Sequence, residues 1–394
     1  MTKGRNLWVR NIRPLGGEIT DILILDGEIA ETCTDVPETT EVLNGAGAIA
    51  LPGLINAHCH LDKTRWGLPW EPHAAGPTRD ERIAADREMR RGLMASTKER
   101  AAALAGHCAA LGTSHIRTHV DVEPEFGLLA IEALLELSDE IADRVSIELV
   151  AFPQFGLVTN PGTAALMEAA IKLGASLLGG IDPSSIDHDR AGQLDAIFDM
   201  AERTGAGIDI HLHETAEEGA ASLDMICAHT KALGMAGRVT VSHGFCLGTV
   251  DEKRLAGLIN AMADAGVGVV SYAPGDSPVP PVKRLVEAGV AVGVGTDGIR
   301  DAWTPYGNGD MLERAMMLAY RSGFRRDEDI ELALNAVIAG GAALMGLENH
   351  GLAPGCAGDM VLVNAETLAD AVTARPSRKA VIKGGVNLMA ASCL

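Results

Sequence analysis

The sequence predicts an α/β protein: a (β/α)8 TIM-like barrel with a small β-sandwich domain formed by both termini. Three observations predict it. Eight apolar, β-branched runs between residues 48 and 295 alternate with Ala/Leu/Glu/Arg-rich stretches of helical length, the pattern of repeated strand–helix units. The runs are almost continuously apolar, as strands covered on both faces are. Polar residues gather where the runs end, six of the twelve histidines among them, and in a closed barrel those ends converge on one mouth. An open doubly wound sheet would spread them along a line.

Taken in order, the first fifty residues read as short strands. Leu7–Ile12 and Ile19–Leu25 are two, with the turn pair Asp26-Gly27 after the second. The last fifty look alike, with Asp359–Val363 and Lys379–Lys383. Neither set can bury a good core alone, so 1–54 and 346–394 are expected to pair into one small β domain beside a catalytic barrel over 55–345. The predicted barrel strands are Ala48–Ile55, Ser114–His119, Ser146–Phe152, Ser176–Ile181, Gly207–His211, Arg238–Ser242, Gly266–Ser271 and Ala291–Gly295. Helical stretches between them include Lys98–Leu111, Glu125–Ala142, Pro161–Leu173, Ala191–Thr204, Ala220–Leu233, Val250–Ala265 and Val282–Ala288. Loops over Thr64–Asp80, with Trp66 and Trp70, and Arg300–Gly309, with Trp303, are expected to close over a substrate.

Composition bounds the function. A chain of 394 residues suits a barrel of about 250 residues plus an appended domain. The formal charge of −20 argues against nucleic acid or an anionic membrane as a partner. Seven cysteines, an odd number without CxxC spacing, predict a reduced, cytoplasmic protein. No apolar stretch follows the N-terminus as a signal peptide requires, and no run reaches membrane-spanning length.

The chemistry begins with Leu51-Pro52-Gly53-Leu54-Ile55-Asn56-Ala57-His58-Cys59-His60. Residues i and i+2 of a strand share a face, so His58 and His60 project together, as two ligands of one metal must. The second strand delivers His119, the third Gln154, and the fourth Asp182. The fifth delivers His211, His213 and Glu214, the sixth His243, and the eighth Asp297. Neutral imidazoles and a carboxylate suit a borderline divalent ion such as Zn2+ or Fe2+. An open coordination position would hold a water whose pKa falls toward about 7. Hydrolysis at a C=N or C=O carbon then needs groups that accept and donate protons, for which Glu214, His243 and Asp297 are the candidates. His211 and His213 share a face, so periodicity leaves open which of them is the ligand.

All of these candidate residues except Asp182 lie in PGLINAHCHLDK (52–63), RTHVDVE (117–123), VAFPQFG (150–156), DIHLHE (209–214), RVTVSHG (238–244) and GTDGIRDAWTPYGNGDML (295–312). Together the motifs resemble the amidohydrolase superfamily, and within it the cytosine deaminase branch. The resemblance implies that His58, His60, His211 and Asp297 bind one divalent metal, Zn2+ or Fe2+. It implies that Glu214 shuttles protons, that His243 orients the attacking water, and that Gln154 contacts the heterocycle. Asp182, His119 and Trp303 are further expected substrate contacts. Binuclear members carry a carboxylated lysine at the end of strand four; Gly179-Gly180-Ile181-Asp182 has none, so one metal is expected. Two positions depart from the cytosine enzymes. Gly298 stands where they have a second acidic residue, and Asp182-Pro183 replaces an aromatic-bearing segment. The implied activity is ammonia release from a small N-heterocycle such as an aminopyrimidine. Cleavage of an amide, N-alkyl or ring C–N bond of a triazine-type substrate is the alternative, and a barrel that binds without catalysis a third reading. The expected partners are a small heterocyclic substrate and further copies of the chain in a homo-oligomer.

Overall fold

The computed structural model describes residues 6–34, 36–76, 78–93 and 95–391; the start of the chain and Cys393 lie outside them. The N-terminal segment supplies β1 (Leu7–Pro14), β2 (Thr20–Leu25), β3 (Glu28–Ile29), β4 (Glu41–Asn44) and β5 (Ile49–Pro52). β5 is the seam between the two ends of the chain, pairing parallel with β1 and antiparallel with β14 (Met360–Val363). β14 pairs in turn with β15 (Arg378–Lys383), and β15 with β16 (Val386–Asn387). Val9, Ile12, Ile24, Ala50, Met360, Leu362, Ala380 and Ile382 share one buried cluster. Neither terminal segment could shield those side chains alone.

The barrel strands are β6 (Leu54–Cys59), β7 (Thr113–Asp121), β8 (Ser146–Phe152), β9 (Leu177–Ile181), β10 (Gly207–Leu212), β11 (Val239–His243), β12 (Val267–Ser271) and β13 (Val292–Val294). They pair in sequence order, every pair parallel. The ring closes just past β13, where the Asp297 N–H donates to the His58 carbonyl at 3.0 Å and Cys59 bridges Asp297 in parallel. Closure therefore fixes the register of Asp297 against the two histidines of the first strand.

The predicted strand Ala48–Ile55 is two strands. The chain leaves the terminal sheet after Pro52 and enters the barrel at Leu54. Gly53 makes the change because a Cβ there would lie 2.4 Å from Ser114 Oγ. β6 also runs on to Cys59, so His58 lies within the strand.

Helix α1 (Arg79–Gly92) was not expected, although Thr78 and Glu81 form the capping box that marks its start. The next six helices follow the predicted order: α2 (Thr97–Ala110), α3 (Leu129–Glu140), α4 (Thr163–Leu173), α5 (Arg190–Thr204), α6 (Ala216–Ala232) and α7 (Glu252–Ala265). α8 (Val282–Glu287) follows β12. After β13 come α9 (Met311–Arg321), α10 (Asp327–Ala336) and α11 (Ala339–Leu344), which lead back to the terminal sheet. No helix of the described residues is long and apolar enough to cross a membrane.

Candidate metal centre and substrate cavity

His58, His60, His211 and Asp297 converge at the mouth of the barrel. Asp297 Oδ1 lies 3.5 Å from His58 Nε2 and 3.3 Å from His60 Nε2. His60 Nε2 lies 3.3 Å from His211 Nε2. Burial, with Lys63 nearby, lowers the His60 imidazole to about 4. Burial and the surrounding histidines hold His211 and His243 well below the usual range. Burial alone would raise Asp297, but the His58 and His60 imidazoles beside it outweigh that and hold the carboxyl well below its ordinary range. His60 and His211 are thus neutral imidazoles beside a carboxylate, donor types a divalent cation takes.

The elements behind the cluster fix its tautomers. Asp209 and His211 are two residues apart on β10 and share its inward face. Ser242 on β11 donates to Asp209 Oδ1 at 2.6 Å, and its Oγ stands 2.8 Å from His58 Nδ1. The single hydroxyl proton is committed to Asp209, so Oγ accepts from His58 Nδ1–H. In the neutral ring His58 Nε2 then carries no proton, and it is buried without a hydrogen-bond partner among the described residues. Arg117 completes the chain by donating to Asp209 Oδ2 at 3.1 Å. An orphaned imidazole lone pair facing a carboxylate and two more imidazoles fits a metal ion.

His211 is the strand-five residue at this centre. It is buried, and its ring stacks on Phe152 at 4.0 Å. His213 lies past the end of β10 and no longer follows the pleat. Its Nδ1 pairs with Asp182 Oδ2 at 2.9 Å, and its ring stacks on His243 at 4.2 Å. The His243 ring lies 4.9 Å from His58 and 5.0 Å from His211. Neither of its nitrogens has a hydrogen-bond partner among the described residues.

Three expected residues sit differently. The Glu214 carboxylate accepts from the Ser184 and Ser185 N–H groups at 2.7 and 2.9 Å and from Ser222 Oγ at 2.7 Å. It braces the loop after β9 and does not line the substrate cavity. His119, expected to contact substrate, is fully buried and packs against His58 with 4.2 Å between ring centres. β7 continues to Asp121, which leaves His119 below the mouth. Asp182 does line the cavity, but Oδ1 accepts from the His213 and Glu214 N–H groups at 2.6 and 3.2 Å while Oδ2 meets the His213 ring.

A cavity of about 100 Å3 opens above the cluster, with His60, His211 and Asp297 on its floor. Lys63, Gln154, His213, Gly298, Asp301 and Trp303 form much of its wall. Lys63 donates to Gln154 Oε1 at 2.5 Å and pairs with Asp121 Oδ1 at 2.9 Å. Burial would lower the Lys63 amine, but Asp121, Asp86 and Asp62 together raise it, so the group is a buried cation. α1 contributes Asp86 and Arg90 to this network. Burial pushes the Asp301 carboxyl up to about 7. Trp66 packs on His107 and Arg300 instead of on this cavity. Lys63 and Asp301 were missed as site residues. Their signal is proximity in sequence, Lys63 three residues after His60 and Asp301 four after Asp297.

A closed parallel barrel with this histidine–aspartate cluster at its mouth defines a barrel hydrolase with a candidate metal centre. The chain belongs to the amidohydrolase family, whose model matches residues 81–388, and it is a hydrolase of carbon–nitrogen bonds. It is 30% identical to N-isopropylammelide isopropyl amidohydrolase of Pseudomonas sp. (strain ADP), over 98% of this chain and 97% of that one. Among solved structures it resembles N-isopropylammelide isopropylaminohydrolase from Burkholderia multivorans, at 46% identity and a TM-score of 0.94, with 98% of each chain covered. It also resembles 5-methylcytosine deaminase from Klebsiella pneumoniae bound to 5-fluorocytosine, at 26% identity and a TM-score of 0.87, with 97% of each chain covered.

Proposed function

We propose that this chain hydrolytically displaces an exocyclic amine from a small six-membered N-heterocycle, with an N-alkylamino hydroxytriazine as its substrate type. The observation that carries the reading is the small cavity set directly on the His58–His60–His211–Asp297 cluster. Its volume of about 100 Å3 is well below the roughly 300–1,000 Å3 of drug-sized pockets, which favours a single ring. The 46% identity to an isopropylaminohydrolase supports the alkylamine ahead of ammonia as leaving group. Ammonia release from an aminopyrimidine is the second reading, supported by the likeness to 5-methylcytosine deaminase.

His58, His60, His211 and Asp297 would hold one Zn2+ or Fe2+. When bound, that ion supplies a water acidic enough to attack at neutral pH and polarises the acceptor. The remaining work belongs to the chain. Lys63 and Gln154 orient the ring by hydrogen bonds at its heteroatoms. His243, buried beside the cluster, hydrogen-bonds the attacking oxygen. The Asp182–His213 pair carries a proton toward the departing nitrogen, with Asp182 stabilising the imidazolium. The water oxygen bonds to the ring carbon, the exocyclic C–N bond breaks, and the amine leaves with a proton from that water. Glu214 positions the Asp182–Ser185 turn. Assaying metal-loaded protein for alkylamine and ammonia release from a panel of triazines and pyrimidines tests this reading.

A further inference from the structure

Gly298 directly follows Asp297, and its backbone lies outside the left-handed region, so its conformation does not require glycine. The space does. A Cβ at this position would lie 2.2 Å from Asp301 Oδ2 and 3.0 Å from Asp301 Cγ. The volume a side chain at 298 would fill holds the Asp301 carboxyl.

That carboxyl is held by one oxygen only. Oδ1 accepts from the Trp303 and Thr304 N–H groups at 2.8 and 2.9 Å, closing a tight turn. Oδ2 is buried and has no hydrogen-bond partner among the described residues. Asp301 is 3% exposed and lines the cavity above the cluster together with Gly298 and Trp303. It also lines a larger neighbouring cavity of about 300 Å3 walled by the 65–75 and 300–305 loops. Turn closure accounts for Oδ1. An unpartnered buried carboxylate oxygen is costly, and Oδ2 needs a donor that the described residues do not supply.

We infer that Asp301 is a substrate-reading residue, its Oδ2 delivered by the absence of a side chain at Gly298 to accept a hydrogen bond from a ring N–H of the heterocycle. The inference rests on the proposed function above. It names a substrate feature: an N–H in the ring of a lactam-type tautomer, as hydroxylated triazines and pyrimidines carry.

Asp301→Asn tests it, because Asn Oδ1 still accepts from Trp303 and Thr304 while Nδ2 presents donors where an acceptor is required. With metal-loaded enzyme, kcat/KM for a substrate bearing the ring N–H should fall about ten- to a hundredfold, mainly through KM, with metal content and melting temperature unchanged. The ring N-methylated analogue, which offers no donor, should be a poor substrate for wild type and lose no more in the variant. Gly298→Ala, whose methyl group evicts the carboxyl, should reproduce the selective loss. Equal turnover of both analogues by wild type and Asp301→Asn, or equal losses for both, would reduce Asp301 to a turn residue and overturn the inference. If wild type releases no amine from any heterocycle, the functional reading has failed. Calorimetric binding of cyanuric acid, a ring lactam, to wild type and Asp301→Asn then decides this point separately: weaker binding to the variant sustains the inference, and equal or absent binding overturns it.

Discussion

Ser242 Oγ lies 2.8 Å from His58 Nδ1 and donates its own hydrogen bond to Asp209, which leaves His58 Nε2 as the nitrogen open to a metal. Partners of this kind orient a metal-binding imidazole and typically change affinity by about 10–100-fold when removed. Ser242→Ala should therefore bind metal about 10–100-fold more weakly, as measured by chelator competition, with little change in melting temperature once metal is saturating. Unchanged affinity would mean that the Ser242 hydroxyl does not set the His58 tautomer.

The strand β9 delivers Leu177-Leu178-Gly179-Gly180-Ile181 to the mouth and no lysine. One divalent ion per chain is the expected stoichiometry by elemental analysis. Asp297→Ala, which removes the carboxylate shared by His58 and His60, should lose metal and activity together. Two tightly held ions per chain would contradict the single-metal reading.

Glu214 holds the Ser184 and Ser185 N–H groups and the Ser222 hydroxyl, and swinging it into the cavity would strand those donors at about 1–3 kcal/mol each. Gln at this position still accepts from both N–H groups. The geometry predicts that Glu214→Gln keeps its metal and loses less than about tenfold in kcat. A loss of roughly 10²–10⁴-fold, the contribution of a general acid–base group, would return the proton shuttle to Glu214 and remove it from His213.

Acid sensitivity should trace in part to His115. Burial, with Lys383 nearby, lowers its imidazole from 6.5 to about 3. A depressed histidine favours the fold fully above about pH 6.5. As pH falls below that value the unfolded chain takes up a proton that the folded state refuses. Stability from this residue therefore declines from pH 6.5 toward 3, by at most about 1.4 kcal/mol per pH unit. His115→Gln should show a shallower loss of denaturation free energy between pH 6.5 and 4.5 than wild type. Parallel slopes would contradict the assignment.

Much of the barrel was legible because buried parallel strands write themselves as apolar runs, and their ends as polar residues at regular intervals. The switch at Gly53 was hidden because Ile49–Ile55 is one apolar stretch that two sheets share. Of the candidate site, His58, His60, His211 and Asp297 could be read from spacing and from motifs, since strand alternation fixes where such side chains point. The choice between His211 and His213 could not, because it turns on β10 ending at Leu212. The placement of Glu214 depends on the N–H groups of a loop thirty residues away, and that of Asp301 on a missing side chain at 298. Neither relation has a period.

The most direct test is amine release by metal-reconstituted protein offered N-isopropylamino and amino derivatives of hydroxytriazines, with aminopyrimidines and pterins alongside. The account predicts metal-dependent release of alkylamine from the N-alkylamino hydroxytriazine, abolished by Asp297→Ala. Turnover that survives complete removal of metal, or no amine or ammonia from any heterocycle by protein carrying its full metal, would contradict it.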